Sequence, residues 1–214
     1  MNFKAFLNLI SKIENIELPA QDSQFKMSPP FRNELIKKYS EEMKSAKRAG
    51  VLALFYPNNS NITYLVLILR KTYQGIHSNQ VGFPGGKIED KDSNLKETAI
   101  RETYEEIGVE QPKVEVLKRL TEVYIPPSNY FVQPFMGICK TTPKFTKQDD
   151  EVEDIIEIPL HEFLDNKAVI TSKVNTSYSI TVEVPAFKLN GHIVWGATAM
   201  MLSEIKDLLK QMLK

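Results

Sequence analysis

The chain has 214 residues, of which 42% are hydrophobic, 27 are basic, 27 are acidic and one is cysteine. That length suits one domain with extensions better than two. The balanced charge argues against nucleic acid or an anionic membrane as partner, the single Cys139 excludes a disulfide framework and a multi-cysteine zinc site, and no run of about 18 apolar residues or secretory leader is seen, so the expectation is a cytoplasmic protein with a small-molecule partner.

In chain order, Phe3, Phe6, Leu7, Ile10 and Ile13 recur at helical spacing, and Pro19, Pro29 and Pro30 then break the pattern. This predicts an N-terminal helix and an irregular arm, followed by a second helix from Arg32 to Lys47. Residues 1–48 are read as this arm and 49–214 as the main domain. The arm could cover a site, pack on the sheet or mediate a homodimer, and the sequence does not choose. Val51–Tyr56 and Tyr64–Arg70 are β-rich runs flanking Pro57-Asn58-Asn59-Ser60, a hairpin signature.

A helix is predicted from Leu95 to Ile107, stopped by Gly108 as a left-handed cap. Further strands are predicted over Val114–Tyr124, Tyr130–Cys139 with Cys139 in the core, Ile155–Ile158 and Tyr178–Leu189. A last helix runs from about Ala197 to Leu213, with Met201, Ile205, Leu208, Leu209 and Met212 on its apolar side. Strands and helices that alternate without a regular βαβ repeat imply an α/β protein, a mixed-sheet α/β/α sandwich rather than a doubly wound parallel sheet.

Glu102, Glu105 and Glu106, at i, i+3 and i+4, share one helix face. Unpaired, they would repel; with hard cations such as Mg²⁺ between them and phosphate oxygens they are stabilised. The bland alternative is a solvated acidic face paired with Arg101 or Lys96. Upstream, Phe83-Pro84-Gly85-Gly86-Lys87 lets backbone pass close to a ligand or turn a carbonyl to a metal. A phosphate-binding P-loop is the rival reading, weakened because no Ser or Thr follows Lys87.

The segment GGKIEDKDSNLKETAIRETYEEIGV, Gly85 to Val109, resembles a Nudix box, Gly-x5-Glu-x7-Arg-Glu-U-x-Glu-Glu-x-Gly-U with U apolar. Its second half fits without a gap, with Thr103 at an apolar position. Its first half needs one extra residue and has Asp92 where the box has Glu. An insertion of that kind is similar to the coenzyme A diphosphatase branch. The resemblance implies a Nudix-type sandwich and a hydrolase dependent on Mg²⁺ or Mn²⁺. It also implies metal ligation by Glu102, Glu105, Glu106 and the Gly86 carbonyl, with Arg101 orienting a carboxylate. Lys87 would meet phosphate or pair with a box glutamate. The general base would come from Gln148–Asp154, with Glu151 chosen ahead of Asp154 and Glu153, although an acidic solvated turn is as good a reading of that loop.

Outside the box, Arg70 to Gly86 is similar to the segment that precedes it in coenzyme A diphosphatases, departing at Gly75 and Asn79. Tyr124 to Phe135 and Ile193 to Ala199 also resemble that branch. The implied activity is cleavage of coenzyme A or its thioesters to 3′,5′-ADP and a 4′-phosphopantetheine product. Arg70 and Lys71 are candidates for phosphate, and Tyr124, Tyr130 and Phe131 for an aromatic surface. Arg70 could equally make a structural ion pair, and Trp195 is expected in the core. A Nudix diphosphatase acting on ADP-ribose, NADH or a dinucleoside polyphosphate is the alternative. A third reading is an inactive ligand-binding module. His77, His161 and His192 are too dispersed for a metal cluster, and only His77 lies within the similar segment.

Overall fold

The computed structural model describes residues 1–72, 79–175 and 181–213, so Gly75, His77 and the start of the strand predicted from Tyr178 lie outside the described residues. The strands are β1 Lys47–Pro57, β2 Thr63–Arg70, β3 Val81–Gly82, β4 Gly85–Lys87, β5 Val114–Arg119, β6 Val123–Ile125, β7 Tyr130–Cys139, β8 Val152–Pro159, β9 Val169–Asn175, β10 Thr181–Leu189 and β11 His192–Trp195. The helices are α1 Phe3–Ile10, α2 Ala20–Gln24, α3 Arg32–Lys38, α4 Leu95–Ile107, α5 Leu160–Leu164 and α6 Gly196–Met212.

The main sheet runs β3-β2-β1-β7-β5, with β4 also on β1, β6 on β7 and β8 on β2. The β1–β7 pair is parallel and the other pairs are antiparallel, so the sheet is mixed. The predicted hairpin joins β1 to β2, its turn held by Asn58 Oδ1, which accepts the N–H groups of Ser60 at 3.0 Å and Ile62 at 2.9 Å. Strand alternation splits the apolar residues between two cores. Val51, Ala53, Phe55, Leu65 and Leu67 face the cluster that contains α6 and α1, whereas Leu52, Leu54, Tyr56, Val66 and Ile68 face α4. Helices therefore cover both faces, as the α/β/α sandwich requires. Strands β11-β10-β9 form a second, antiparallel sheet whose Phe187, Leu189 and Val194 join the α6 core.

The N-terminal segment packs on the sheet. Asn2 caps α1 by accepting from Ala5 N–H at 2.8 Å, worth about 1 kcal/mol. Phe3, Phe6 and Ile10 are buried, with the Phe6 ring 5.1 Å from that of Phe55. Lys118 Nζ donates to the carbonyls of Ile13, Glu14 and Ile16 at 2.7 to 3.0 Å. Gln24 donates to Glu204 and to the Thr121 carbonyl at 3.0 Å each.

Strand β1 starts earlier than Val51 and β8 extends beyond Ile155–Ile158, α5, β9 and β11 were not expected, and two larger departures have a clear cause. The helix predicted to Lys47 ends at Lys38, followed by a 3-10 turn at Glu42–Ser45. Helix α3 buries no residue, so nothing but weak propensity would extend it, and from Lys47 the backbone pairs with β7 instead. The single strand predicted from Val114 to Tyr124 is two, because the connection turns inward: Leu120 is buried and Thr121 donates its hydroxyl to Glu204 at 2.6 Å.

Candidate metal and substrate site

Helix α4 starts at Asn94, whose side chain accepts from the N–H groups of Lys96 and Glu97 at 3.0 and 3.1 Å. It ends at Gly108, which is left-handed (φ 74°) and donates to the Tyr104 carbonyl at 2.8 Å. Ala99, Thr103 and Ile107, four residues apart, are buried on its sheet side, and the Thr103 hydroxyl is satisfied by the Ala99 carbonyl at 2.6 Å. That internal bond explains how a hydroxyl residue occupies an apolar position of the pattern.

Two close approaches set the site. A Cβ on Gly50 of β1 would lie 2.2 Å from the Leu95 carbonyl oxygen, so the helix rests directly on the strand backbone. Gly50 also pairs with Gly86 of β4, and a Cβ on Gly86 would lie 2.4 Å from Glu102 Oε1. The Glu102 carboxylate thus lies against the loop backbone where no larger residue fits.

Carboxylate oxygens of Glu102, Glu106 and Glu151 all lie within 4.8 Å of one another. Glu106 is 2% exposed and accepts from Gly85 N–H at 2.7 Å. Its Oε1 is 3.7 Å from Arg70 Nη2, which itself donates to the Gly85 carbonyl at 3.0 Å. Burial pushes the Glu106 carboxyl up to about 7, against the pull of Arg70 and of Gly85 N–H and with the push of Glu102 and Glu151. Burial likewise raises Glu102, although Arg101 opposes it. Glu151 is exposed, on a loop tied back to the end of α4: Gln148 N–H donates to the Glu106 carbonyl at 3.0 Å, and Gln148 Oε1 accepts Glu151 N–H at 2.8 Å.

Glu105 occupies the rim. It is 44% exposed, with Arg101 Nη1 at 2.7 Å and Lys91 Nζ at 3.4 Å. Arg101 is buried behind the cluster. Its Nε and Nη2 grip Asp92 at 2.8 and 2.9 Å, its Nη1 donates to Glu102 at 2.9 Å, and its Nη2 also reaches the Lys87 carbonyl at 3.2 Å. The Arg101 hydrogen bonds hold the Asp92 carboxyl well below the usual carboxylate range. Asp92 thereby fixes the guanidinium that aligns two glutamates, a job the sequence left unassigned.

The acidic hollow opens into an apolar groove of about 290 Å³, and Arg70, Gly85, Gly86 and Lys87 line both. Phe31 and Leu35 of the arm, Phe83, Pro126, Tyr130, Trp195 and Met201 form much of its wall. Arg70, Lys87 and Tyr130 are thus gathered at the cleft. Lys71 is not: its Nζ donates to the Asp149 carbonyl at 2.7 Å and lies 3.6 Å from Glu153. Tyr124 is buried with its ring 5.0 Å from Phe131 and its hydroxyl on Asn129 at 3.0 Å. Trp195, expected in the core, is only half-buried and lines the groove, because the chain turns there from β11 into α6 at Gly196 (φ 64°). Asp154 accepts its neighbour Ile155 N–H at 2.9 Å, which leaves Glu151 as the loop acid that joins the helix carboxylates. The arm was open to a role over the site, but its wall residues, Pro29, Phe31, Arg32 and Leu35, are marked by no periodicity or motif.

The family model of the NUDIX domain matches residues 46–176, over half of the chain and including the whole acidic hollow. The chain belongs to the Nudix family. Its Nudix box is the β4-to-α4 segment described above. The chain is 32% identical over 141 residues to an uncharacterized Nudix hydrolase NudL of Yersinia pestis, covering 66% of this chain and 70% of that one. It is 30% identical over 155 residues to a peroxisomal coenzyme A diphosphatase, ndx-8, of Caenorhabditis elegans, covering 72% of this chain and 64% of the worm protein, just under two thirds of its length. The fold is similar to that of a MutT/nudix family protein from Enterococcus faecalis, with a TM-score of 0.51 at 15% identity over 91% of this chain and 76% of that one. No helix among the described residues is long and apolar enough to cross a membrane.

Proposed function

We propose that this Nudix protein is a divalent-metal-dependent diphosphatase whose substrate is coenzyme A or one of its thioesters, hydrolysed to 3′,5′-ADP and 4′-phosphopantetheine or its acyl form. The observation that carries the reading is the junction of a carboxylate-rich hollow with an apolar groove through Arg70 and Lys87. A diphosphate at that junction would have a nucleoside or pantetheine arm in the groove. The relative named a coenzyme A diphosphatase supports the substrate class.

The donor set fits a hard cation, Mg²⁺ or Mn²⁺: every side-chain ligand is a carboxylate, and a bound cation would favour the charged form of Glu106 that burial disfavours. Glu102 and Glu106, with the Gly86 carbonyl, are the residues that would hold it, and Glu105 would join them by turning in from the rim, away from Lys91. When bound, such an ion supplies charge neutralisation on the phosphoryl oxygens and a lowered pKa for coordinated water. Arg101, fixed by Asp92, keeps Glu102 and Glu105 aligned. Glu151, exposed and facing the helix carboxylates, accepts the proton of the attacking water. Water adds to one phosphorus, the bridging P–O bond breaks, and Arg70 and Lys87 balance charge on the diphosphate. Tyr130 and Trp195 offer flat surface to the adenine. In this reading residues 1–48 are an arm that walls the groove of a hydrolytic domain spanning 49–214.

The test is product analysis by mass spectrometry with coenzyme A, ADP-ribose and NADH, each with Mg²⁺ or Mn²⁺ and with chelator. Metal-dependent 3′,5′-ADP from coenzyme A in preference to turnover of the others is expected. Turnover of only ADP-ribose or NADH would overturn the substrate, and no turnover of any would favour a binding module.

A further inference from the structure

The groove and the hollow differ in charge. Glu89, Glu102, Glu105, Glu106 and Glu151 line the hollow, whereas the charged residues among those described in the groove wall are Arg32, Arg70 and Lys87, all cationic. Arg70 already serves Gly85 and Glu106. Arg32 faces no carboxylate among the described residues. It opens α3 in the arm, outside the matched family region, and lines the groove but not the hollow. Its Nη2 donates to the Tyr124 carbonyl at 2.8 Å, while its Nε is buried with no hydrogen-bond partner. Burial lowers its pKa, and no carboxylate among the described residues offsets that. A guanidinium lining an apolar groove with no carboxylate partner among the described residues is a costly arrangement unless an anion completes it.

We propose that Arg32 anchors an anion subsite in the groove, distinct from the diphosphate end, which takes a phosphate monoester carried on the nucleotide half of the substrate. The inference rests on the proposed diphosphatase reading for the substrate's placement. The planar fork of Arg32 suits phosphate oxygens. Pro126, Tyr130 and Trp195 in the same groove give a purine somewhere to lie. The 3′-phosphate of coenzyme A and the 2′-phosphate of NADPH share this chemistry, and placing the diphosphate against Arg70 and Lys87 leaves either one free to extend towards the arm.

Titration calorimetry of the metal-free full chain with 3′,5′-ADP, 2′,5′-ADP and 5′-AMP tests the subsite without turnover. The expected result is about tenfold or tighter binding of 3′,5′-ADP than of 5′-AMP by the wild type. Arg32→Ala should abolish that advantage and Arg32→Lys should keep part of it. In turnover, the ratio of kcat/KM for coenzyme A to that for dephospho-coenzyme A should fall by a similar factor in Arg32→Ala. Equal wild-type affinities for 3′,5′-ADP and 5′-AMP and for 2′,5′-ADP, or an advantage that survives Arg32→Ala, would overturn the subsite. The wild-type comparison and Arg32→Lys decide the matter if Arg32→Ala fails to fold. A preference for 2′,5′-ADP would keep the subsite and reassign its source. Coenzyme A hydrolysis without phosphate discrimination would sink this inference alone; discrimination without coenzyme A hydrolysis would sink only the proposed substrate.

Discussion

The hollow and the groove share a wall but are assembled by different means. The hollow is framed by backbone: β4 is paired to β1, and α4 lies on Gly50. The groove takes part of its wall from an arm fastened largely by side chains, such as Arg32 to Tyr124 and Gln24 to Glu204. The comparison teaches that the carboxylates are set by paired backbone, with every residue of the hollow inside the matched family region, whereas Phe31, Arg32 and Leu35 of the groove wall precede that region and are held by side-chain contacts.

The largest expected effect comes from the hollow. Glu106→Gln keeps an acceptor for Gly85 N–H but loses the charge, so metal-dependent turnover should fall by more than about 100-fold, the upper end of the loss expected for outer-shell partners. Steady-state kinetics alongside circular dichroism would check it, and near-normal turnover would remove Glu106 from the metal set. Asp92→Asn, one step further out, frees Arg101 and should cost about 10- to 100-fold in metal affinity or activity. It should also cost about 3 kcal/mol or more of stability by breaking a buried pair, read by denaturant unfolding. If Asp92→Asn behaves like a surface change, Arg101 is not the aligning group.

The groove should answer in a different currency. Tyr130→Ala should raise KM by about tenfold while lowering kcat much less, because it removes binding surface and not charge at the reacting phosphorus. A pure kcat defect would erase the division between the regions. The smallest effect concerns pH. Glu106 titrates near 7 in the folded chain against 4.5 for the unperturbed group, so its contribution to stability is complete below pH 4.5 and is lost as pH rises through 7. The metal-free Tm should therefore fall between pH 6 and 8, and added Mg²⁺ should raise it more at pH 8 than at pH 6. Glu106→Gln should flatten both trends.

The sequence made α4 and its C-terminal cap plain, because the spacing of Glu102, Glu105 and Glu106, the helical pattern and Gly108 are all local signals. The direction of each carboxylate was not local. Glu105 turns to the rim because Arg101 and Lys91 hold it there, and Arg101 is itself set by Asp92, nine residues away. The arm was the least legible part: Arg32 and Tyr124 are 92 positions apart, and Gln24 and Glu204 are 180 apart, so no periodicity could join them. The same absence of tertiary information lengthened α3 on paper, since its charged residues favour a helix wherever no strand partner competes.

Gly50 touches the first turn of α4 and pairs with Gly86, so the two jaws around the carboxylates are measured from one Cα. When the sheet flexes, both jaws ride on the same point, and the spacing between them does not accumulate the errors of two separate mountings. A gap only a few ångströms wide is thereby made tolerant of a vibrating scaffold.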